Sequence, residues 1–175
     1  MNLPNKLTIL RVFLVPVFVV FMLTDLGGRY SNWIALVIFV AASLTDSLDG
    51  YLARKNNLVT NFGKFMDPLA DKLLVCSALI CLMAIDRVPA WMVLIIIARE
   101  FIISGFRLVA SDAGVVIAAS YWGKFKTISQ VVMIIALLIE FPYASVFSWI
   151  AVILTIVSLV DYMAKNLNVI KKGGM

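Results

Sequence analysis

The sequence predicts an all-α protein that crosses a membrane six times. Three observations predict it. The 175-residue chain is 63% hydrophobic, with a mean hydropathy of +1.03, whereas soluble domains are about half apolar. Six apolar runs follow one another, separated by turn signals. Each run carries charge near one end, and the charged end alternates along the chain.

The first run, Leu7–Leu23, has Arg11 near its start and stops before Asp25-Leu-Gly-Gly28. No small-residue cleavage site follows it, so a cleaved signal peptide is not expected. The second, Trp33–Leu44, leads into Asp46 and Asp49. The third, Leu69–Ile85, is preceded by Asp67 and contains Asp71. Asp86-Arg-Val-Pro89 marks the next turn. The fourth, Val88–Ala98, continues to about Val109 and carries Arg99, Glu100 and Arg107 late. The fifth, Ile128–Ile139, follows Lys124 and Lys126. The sixth, Phe141–Val160, ends at Asp161 and Lys165. The second and fifth runs span only 12 residues each, too few for about 30 Å of hydrocarbon. They must extend through polar flanks. A soluble protein can bury one such run, but six leave too little polar surface to cover them.

No linker or internal repeat divides the chain, which predicts a single domain over 1–175. Of the 15 Lys and Arg residues, all but Arg29 and Arg87 fall on the side that holds both termini, counted with the helix ends abutting it. The positive-inside rule makes that side cytoplasmic, in a multi-pass protein of the cell membrane. The charged helix ends then surround one polar cavity facing the cytoplasm, as ionisable groups in membranes generally do.

The chain has no histidine, which excludes His-metal sites, His acid–base chemistry and Ser-His-Asp triads. Cys76 and Cys81 sit in one apolar run and suit packing. "GKFKT" lacks the spacing of a phosphate loop. The net charge of +5 suits anionic lipid but is also ordinary membrane topology, and no nucleic-acid partner is expected.

Four aspartates demand explanation. As helix, Asp46, Asp49, Gly50 and Ala53 share a face at i, i+3, i+4, i+7, and Gly63, Asp67 and Asp71 share one at i, i+4, i+8. Pro68 belongs near the start of its helix, and an eight-residue loop, Lys55–Phe62, lets the two helices pack antiparallel. Four converging carboxylates need a counter-charge. Oxygen-only ligands select a hard cation, Mg²⁺, Mn²⁺ or Ca²⁺, and bridging carboxylates accommodate two. Gly50, Ala53 and Gly63 clear space for a bulky phosphorylated ligand, although small residues also serve close helix packing. Surface pairing with Arg54, Lys55, Lys64 and Lys72 would not need two facing stripes. Metal ions beside a leaflet suggest a substrate with a diphosphate and a greasy end, attacked by a second, soluble molecule.

Asp46-x-x-Asp49-Gly50-x-x-Ala53-Arg54, eight residues, Gly63-x-x-x-Asp67-x-x-x-Asp71 resembles the full signature of the CDP-alcohol phosphotransferases. "NLPNKLTILR", "AREFIISGFR" and "GKFKT" are similar to bacterial members that use glycerol 3-phosphate as acceptor. The resemblance implies six transmembrane helices, a homodimer and a cytoplasm-facing site. It implies that Asp46, Asp49, Asp67 and Asp71 hold two divalent ions, Mg²⁺ or Mn²⁺, and that Asp71 is the general base. Asp49, Gly50, Ala53, Arg54 and Gly63 would line the CDP pocket. The implied reaction joins CDP-diacylglycerol and sn-glycerol 3-phosphate to give phosphatidylglycerophosphate and CMP; inositol phosphate, serine or a phospholipid are the alternative acceptors.

The acceptor's phosphate calls for fixed cations. Arg107, Lys124 and Lys126 are the first candidates and Arg11 the next, whereas Arg99 is expected to pair with Glu100 or Asp161. Asn5 and Thr8 either reach the nucleotide or serve a helix start. Intramembrane prenyltransferases also use aspartates and Mg²⁺ on a pyrophosphate, but they are larger and space their motifs differently. A small cation transporter would explain the carboxylates, not Arg54, the glycines or the basic residues.

Overall fold

The computed structural model describes residues 3–55, 61–112 and 120–166; within these stretches the side chains of 3, 4, 25, 46–55, 61, 62, 64, 65 and 112 fall outside the description. Six α-helices and one 3₁₀ turn make up the described residues, with no strand among them: α1 Leu3–Leu23, a 3₁₀ helix Asp25–Tyr30, α2 Ser31–Lys55, α3 Asn61–Ala84, α4 Ala90–Asp112, α5 Tyr121–Leu138 and α6 Ala144–Lys165. Each predicted run lies within one helix, apart from one to three residues at the turns. The two short runs extend through their polar flanks, α2 to 25 residues and α5 to 18.

Two expectations change. The predicted loop Lys55–Phe62 is partly helical, because α2 includes Lys55 and α3 begins at Asn61, leaving 56–60 outside the description. Pro68 therefore lies inside α3 rather than near its start. It withholds the N–H that the carbonyl of residue 64 would otherwise receive.

The chain forms two compact units. The first comprises Met1–Arg87 with Leu137–Glu140, and the second Val88–Ala136 with Phe141–Met175. In the first, α1 packs against α2 and α3, with Phe18 on Phe39 at 6.1 Å between ring centroids. In the second, α4 packs against α6. Trp91 meets Trp149 at 5.3 Å, Phe106 meets Tyr162 edge-on at 5.8 Å, and Gln130 on α5 donates to Thr155 Oγ1 on α6 at 3.2 Å.

The helix surfaces suit lipid. The buried residues of α6 are Ala144, Ser148, Ala151, Val152, Thr155, Ser158 and Tyr162, while Val146, Trp149, Ile150, Ile153, Ile156 and Val160 are exposed. Small and hydroxylated residues inside, with branched aliphatics outside, is how helices pack when the solvent is itself apolar. Among the described residues, two helical stretches are long and apolar enough to cross a membrane, Asn5–Leu23 and Ala144–Lys165.

Two turns share one device. Past α3, Arg87 N–H bonds Leu82 O at 2.9 Å and Asp86 N–H bonds Met83 O at 3.1 Å. Past α5, Phe141 N–H bonds Ala136 O at 2.9 Å and Glu140 N–H bonds Leu137 O at 3.3 Å. These are Schellman closures, whose left-handed residue is usually glycine. Here it is Asp86 (φ 56°) and Glu140 (φ 55°). Glu140 has a compensating role: its carboxylate accepts from Arg87 at 2.5 Å and from Asn32 at 2.9 Å. Asp86 is exposed and makes no comparable bond. Asp86→Gly is therefore expected to stabilise the protein by about 0.5 kcal/mol, and Glu140→Gly to destabilise it by about 1 kcal/mol. Thermal unfolding midpoints in detergent micelles check the opposite signs.

Candidate metal and substrate site

An apolar helix carries polar residues only where a neighbour can use them. On α1, Asn5, Thr8 and Arg11 recur every three residues and all are buried, Thr8 and Arg11 fully. This polar stripe packs within the first unit, where α1 meets the helices that bear the aspartates. Thr8 donates its hydroxyl to Asp67 Oδ1 on α3 at 2.6 Å. Arg11 donates Nε–H to the Ala42 carbonyl on α2 at 3.2 Å. Ala42 lies one helical turn before Asp46, on the same face.

On α3, Gly63, Asp67 and Asp71 stand one turn apart on a continuous helix. Gly63 is buried, and both aspartates are half-buried. On α2, a single unbroken helix carries Asp46, Asp49, Gly50, Ala53 and Arg54, as the predicted stripe requires. The side chains of these five residues lie outside the description, so their convergence with Asp67 and Asp71 stays an expectation. Among the described side chains no three of His, Cys, Asp and Glu gather around a metal position; two of the four expected ligands are not among them.

The chemistry at Asp67 fits a divalent ion. Its donors are carboxylate oxygens, which hard cations take. Thr8 holds one of these oxygens by a short hydrogen bond, the kind of restraint that orients a carboxylate for metal binding.

The second unit holds the remaining expected cations. Arg107 is exposed on α4, with its guanidinium carbon 5.7 Å over the Tyr162 ring. Lys124 is exposed near the start of α5, with Nζ 5.5 Å from the Tyr121 ring centroid. Lys126 is buried, and its ammonium pairs with Glu100 Oε1. The same oxygen accepts from Arg99 at 3.3 Å, the expected pairing, and Arg99 also donates to Ser158 Oγ at 2.7 Å. Asp161 instead takes Ser120 and Lys165, each at 2.6 Å. Arg99 Nε and the Tyr162 hydroxyl are buried without a hydrogen-bond partner, which carries a desolvation cost.

Sequence reasoning weighed Thr8 without finding Asp67, and it missed Glu100 as the partner of Lys126. The three-residue spacing of Asn5, Thr8 and Arg11 in an otherwise apolar helix was the available signal for the first. Glu100 and Lys126 lie on different helices, and no periodicity connects them.

Known proteins place the chain. Residues 1–157 match the family model described as CDP-alcohol phosphatidyltransferase. The chain is similar to a Bacillus subtilis protein named CDP-diacylglycerol–glycerol-3-phosphate 3-phosphatidyltransferase, at 46% identity over 97% of each chain. A Haemophilus influenzae protein of the same name is 40% identical over 93% of this chain and 91% of its own. A Mycobacterium tuberculosis protein named probable phosphatidylglycerophosphate synthase is 41% identical over 95% of this chain and 82% of its own. Matched by that model along most of its length, and by such relatives almost end to end, the chain belongs to the CDP-alcohol phosphatidyltransferase family.

Proposed function

We propose that this chain transfers the phosphatidyl group of CDP-diacylglycerol to sn-glycerol 3-phosphate, giving phosphatidylglycerophosphate and CMP. The observation that carries the reading is the likeness, over nearly the full length, to relatives named for that reaction. The Thr8–Asp67 bond supports it at the level of chemistry, since it restrains a carboxylate that the signature assigns to metal binding. The six-span, cytoplasm-facing arrangement with both termini inside, the single domain over 1–175 and the homodimer are part of the same proposal.

The residues divide the work as follows. Asp46, Asp49, Asp67 and Asp71 would hold Mg²⁺ or Mn²⁺, two ions in this reading. When bound, the ions neutralise charge that develops on the departing CMP. Asp49, Gly50, Ala53, Arg54 and Gly63 would receive the CDP moiety. The acceptor's hydroxyl oxygen forms the new bond to the phosphatidyl phosphorus while the bond to CMP breaks, and Asp71 takes the hydroxyl proton. Arg107 and Lys124 are the exposed cations suited to the acceptor's phosphate. Lys126 completes that set through its charge, steadied by Glu100, and the fully buried Arg11 acts as counter-charge beside the carboxylate stripes.

Purified protein given CDP-diacylglycerol, labelled glycerol 3-phosphate and Mg²⁺ should release CMP. Chelation should abolish release, and Mg²⁺ or Mn²⁺ should restore it. CMP release with inositol phosphate or serine, and none with glycerol 3-phosphate, would keep the family and overturn the acceptor. Asp67→Asn should lower kcat by at least about a thousandfold, whereas Thr8→Val should raise the Mg²⁺ concentration for half-activity by about tenfold. Equal effects of the two would contradict the ligand-and-support relation. Arg107→Ala should raise KM for glycerol 3-phosphate by about tenfold and leave KM for CDP-diacylglycerol unchanged.

A further inference from the structure

The opposite end of α1 carries a second polar feature that the transfer reaction does not use. There the first unit forms an open cavity of about 370 Å³. Phe21, Met22 and Ile85 are among its apolar lining residues, and Arg29, Arg87 and Asn32 among the polar ones, which supply most of the lining surface. Gly28 at its rim has φ +50°, and a Cβ added there would meet nothing within 4 Å. The chain can hold that conformation cheaply only with glycine, and the rim stays open.

Depth and charge point to one kind of occupant. The stretch Asn5–Leu23 is long and apolar enough to cross a membrane, and the cavity begins where it ends. Tyr30 and Trp33 beside it are 65% and 59% exposed, the aromatic placement found at the level of lipid headgroups. Arg87 is already committed to Glu140 and to the carbonyls of Leu137 and Leu138. Arg29 is exposed, and its guanidinium has no ion-pair partner among the described residues. A planar guanidinium fork in a lining that also holds Phe21, Met22 and Ile85 suits a phosphodiester attached to acyl chains. The volume suits a headgroup and the first acyl carbons, within the usual range of ligand sites.

We propose that this cavity binds the phosphodiester headgroup of a membrane phospholipid in the leaflet on that side, with Arg29 as its anion anchor. The site is separate from the aspartate helix faces and does not depend on the transfer reaction. It would fix the end of α1, the 3₁₀ turn and the start of α2 to the membrane surface.

The test uses delipidated full-length protein in a non-ionic detergent and reads amide hydrogen exchange over residues 24–34. The probe is dihexanoyl-phosphatidylglycerol, with inorganic phosphate as a parallel arm. The lipid should slow exchange in this segment, and Arg29→Gln should need about tenfold more lipid for the same protection. Arg29 is exposed, so this variant should keep the unfolding midpoint of the parent. Arg29→Lys, which keeps the charge without the fork, should fall between the two. Unchanged lipid dependence in Arg29→Gln, or no protection of the segment in the parent, would overturn the proposal. Equal protection by inorganic phosphate would also overturn it, by making the cavity a site for soluble anions.

Discussion

A charged group between apolar helices has no water to fall back on, so a partner must stand within reach. That constraint shapes each described polar contact in the interior of the protein. Thr8 exists for Asp67, the Ala42 carbonyl receives Arg11, and Glu100 serves Lys126 and Arg99 together. Apart from Arg99–Glu100 within α4, each of these contacts joins two helices that side-chain packing alone would leave free to slide. In the first unit the polar stripe of α1 sets its register against α2 and α3. In the second, Glu100 ties α4 to α5, and Ser158 ties α4 to α6. The interactions that make charge tolerable are thus the same ones that position the functional helices.

The exterior obeys the complementary rule. Small and hydroxylated residues fill the buried face of α6, and large aliphatic residues cover its outside. In water this distribution would be inverted. It places the energetic weight of the fold on close packing and on satisfied polar groups.

Much of this was legible in the sequence. Six apolar runs gave six helices, because a long apolar stretch in this setting has no other way to satisfy its backbone. The Arg99–Glu100 pair was legible too, since adjacent opposite charges in an apolar run have few alternatives. Three features were not. The early start of α3 places Pro68 inside the helix, against its local preference, and only tertiary packing overrides that. Asp86 and Glu140 occupy left-handed positions where glycine would be the expected signal. The use of Lys126 depends on a partner 26 residues away on another helix, and side-chain pairing across helices leaves no mark on local spacing. Of the candidate site, the α3 half could be followed into the structure, down to the hydroxyl that holds Asp67, while the side chains of the α2 half lie outside the described residues.

The account rests on α2 and α3 presenting their aspartates to shared divalent ions. The most direct measurement is anomalous scattering from crystals of the protein grown with Mn²⁺ and a CDP-containing ligand. The account predicts peaks between the two helices, with oxygens of Asp67, Asp71 and the α2 aspartates at about 2.0–2.6 Å. Crystals with the nucleotide bound and no peak between α2 and α3, or with these carboxylates turned away from each other, would contradict it.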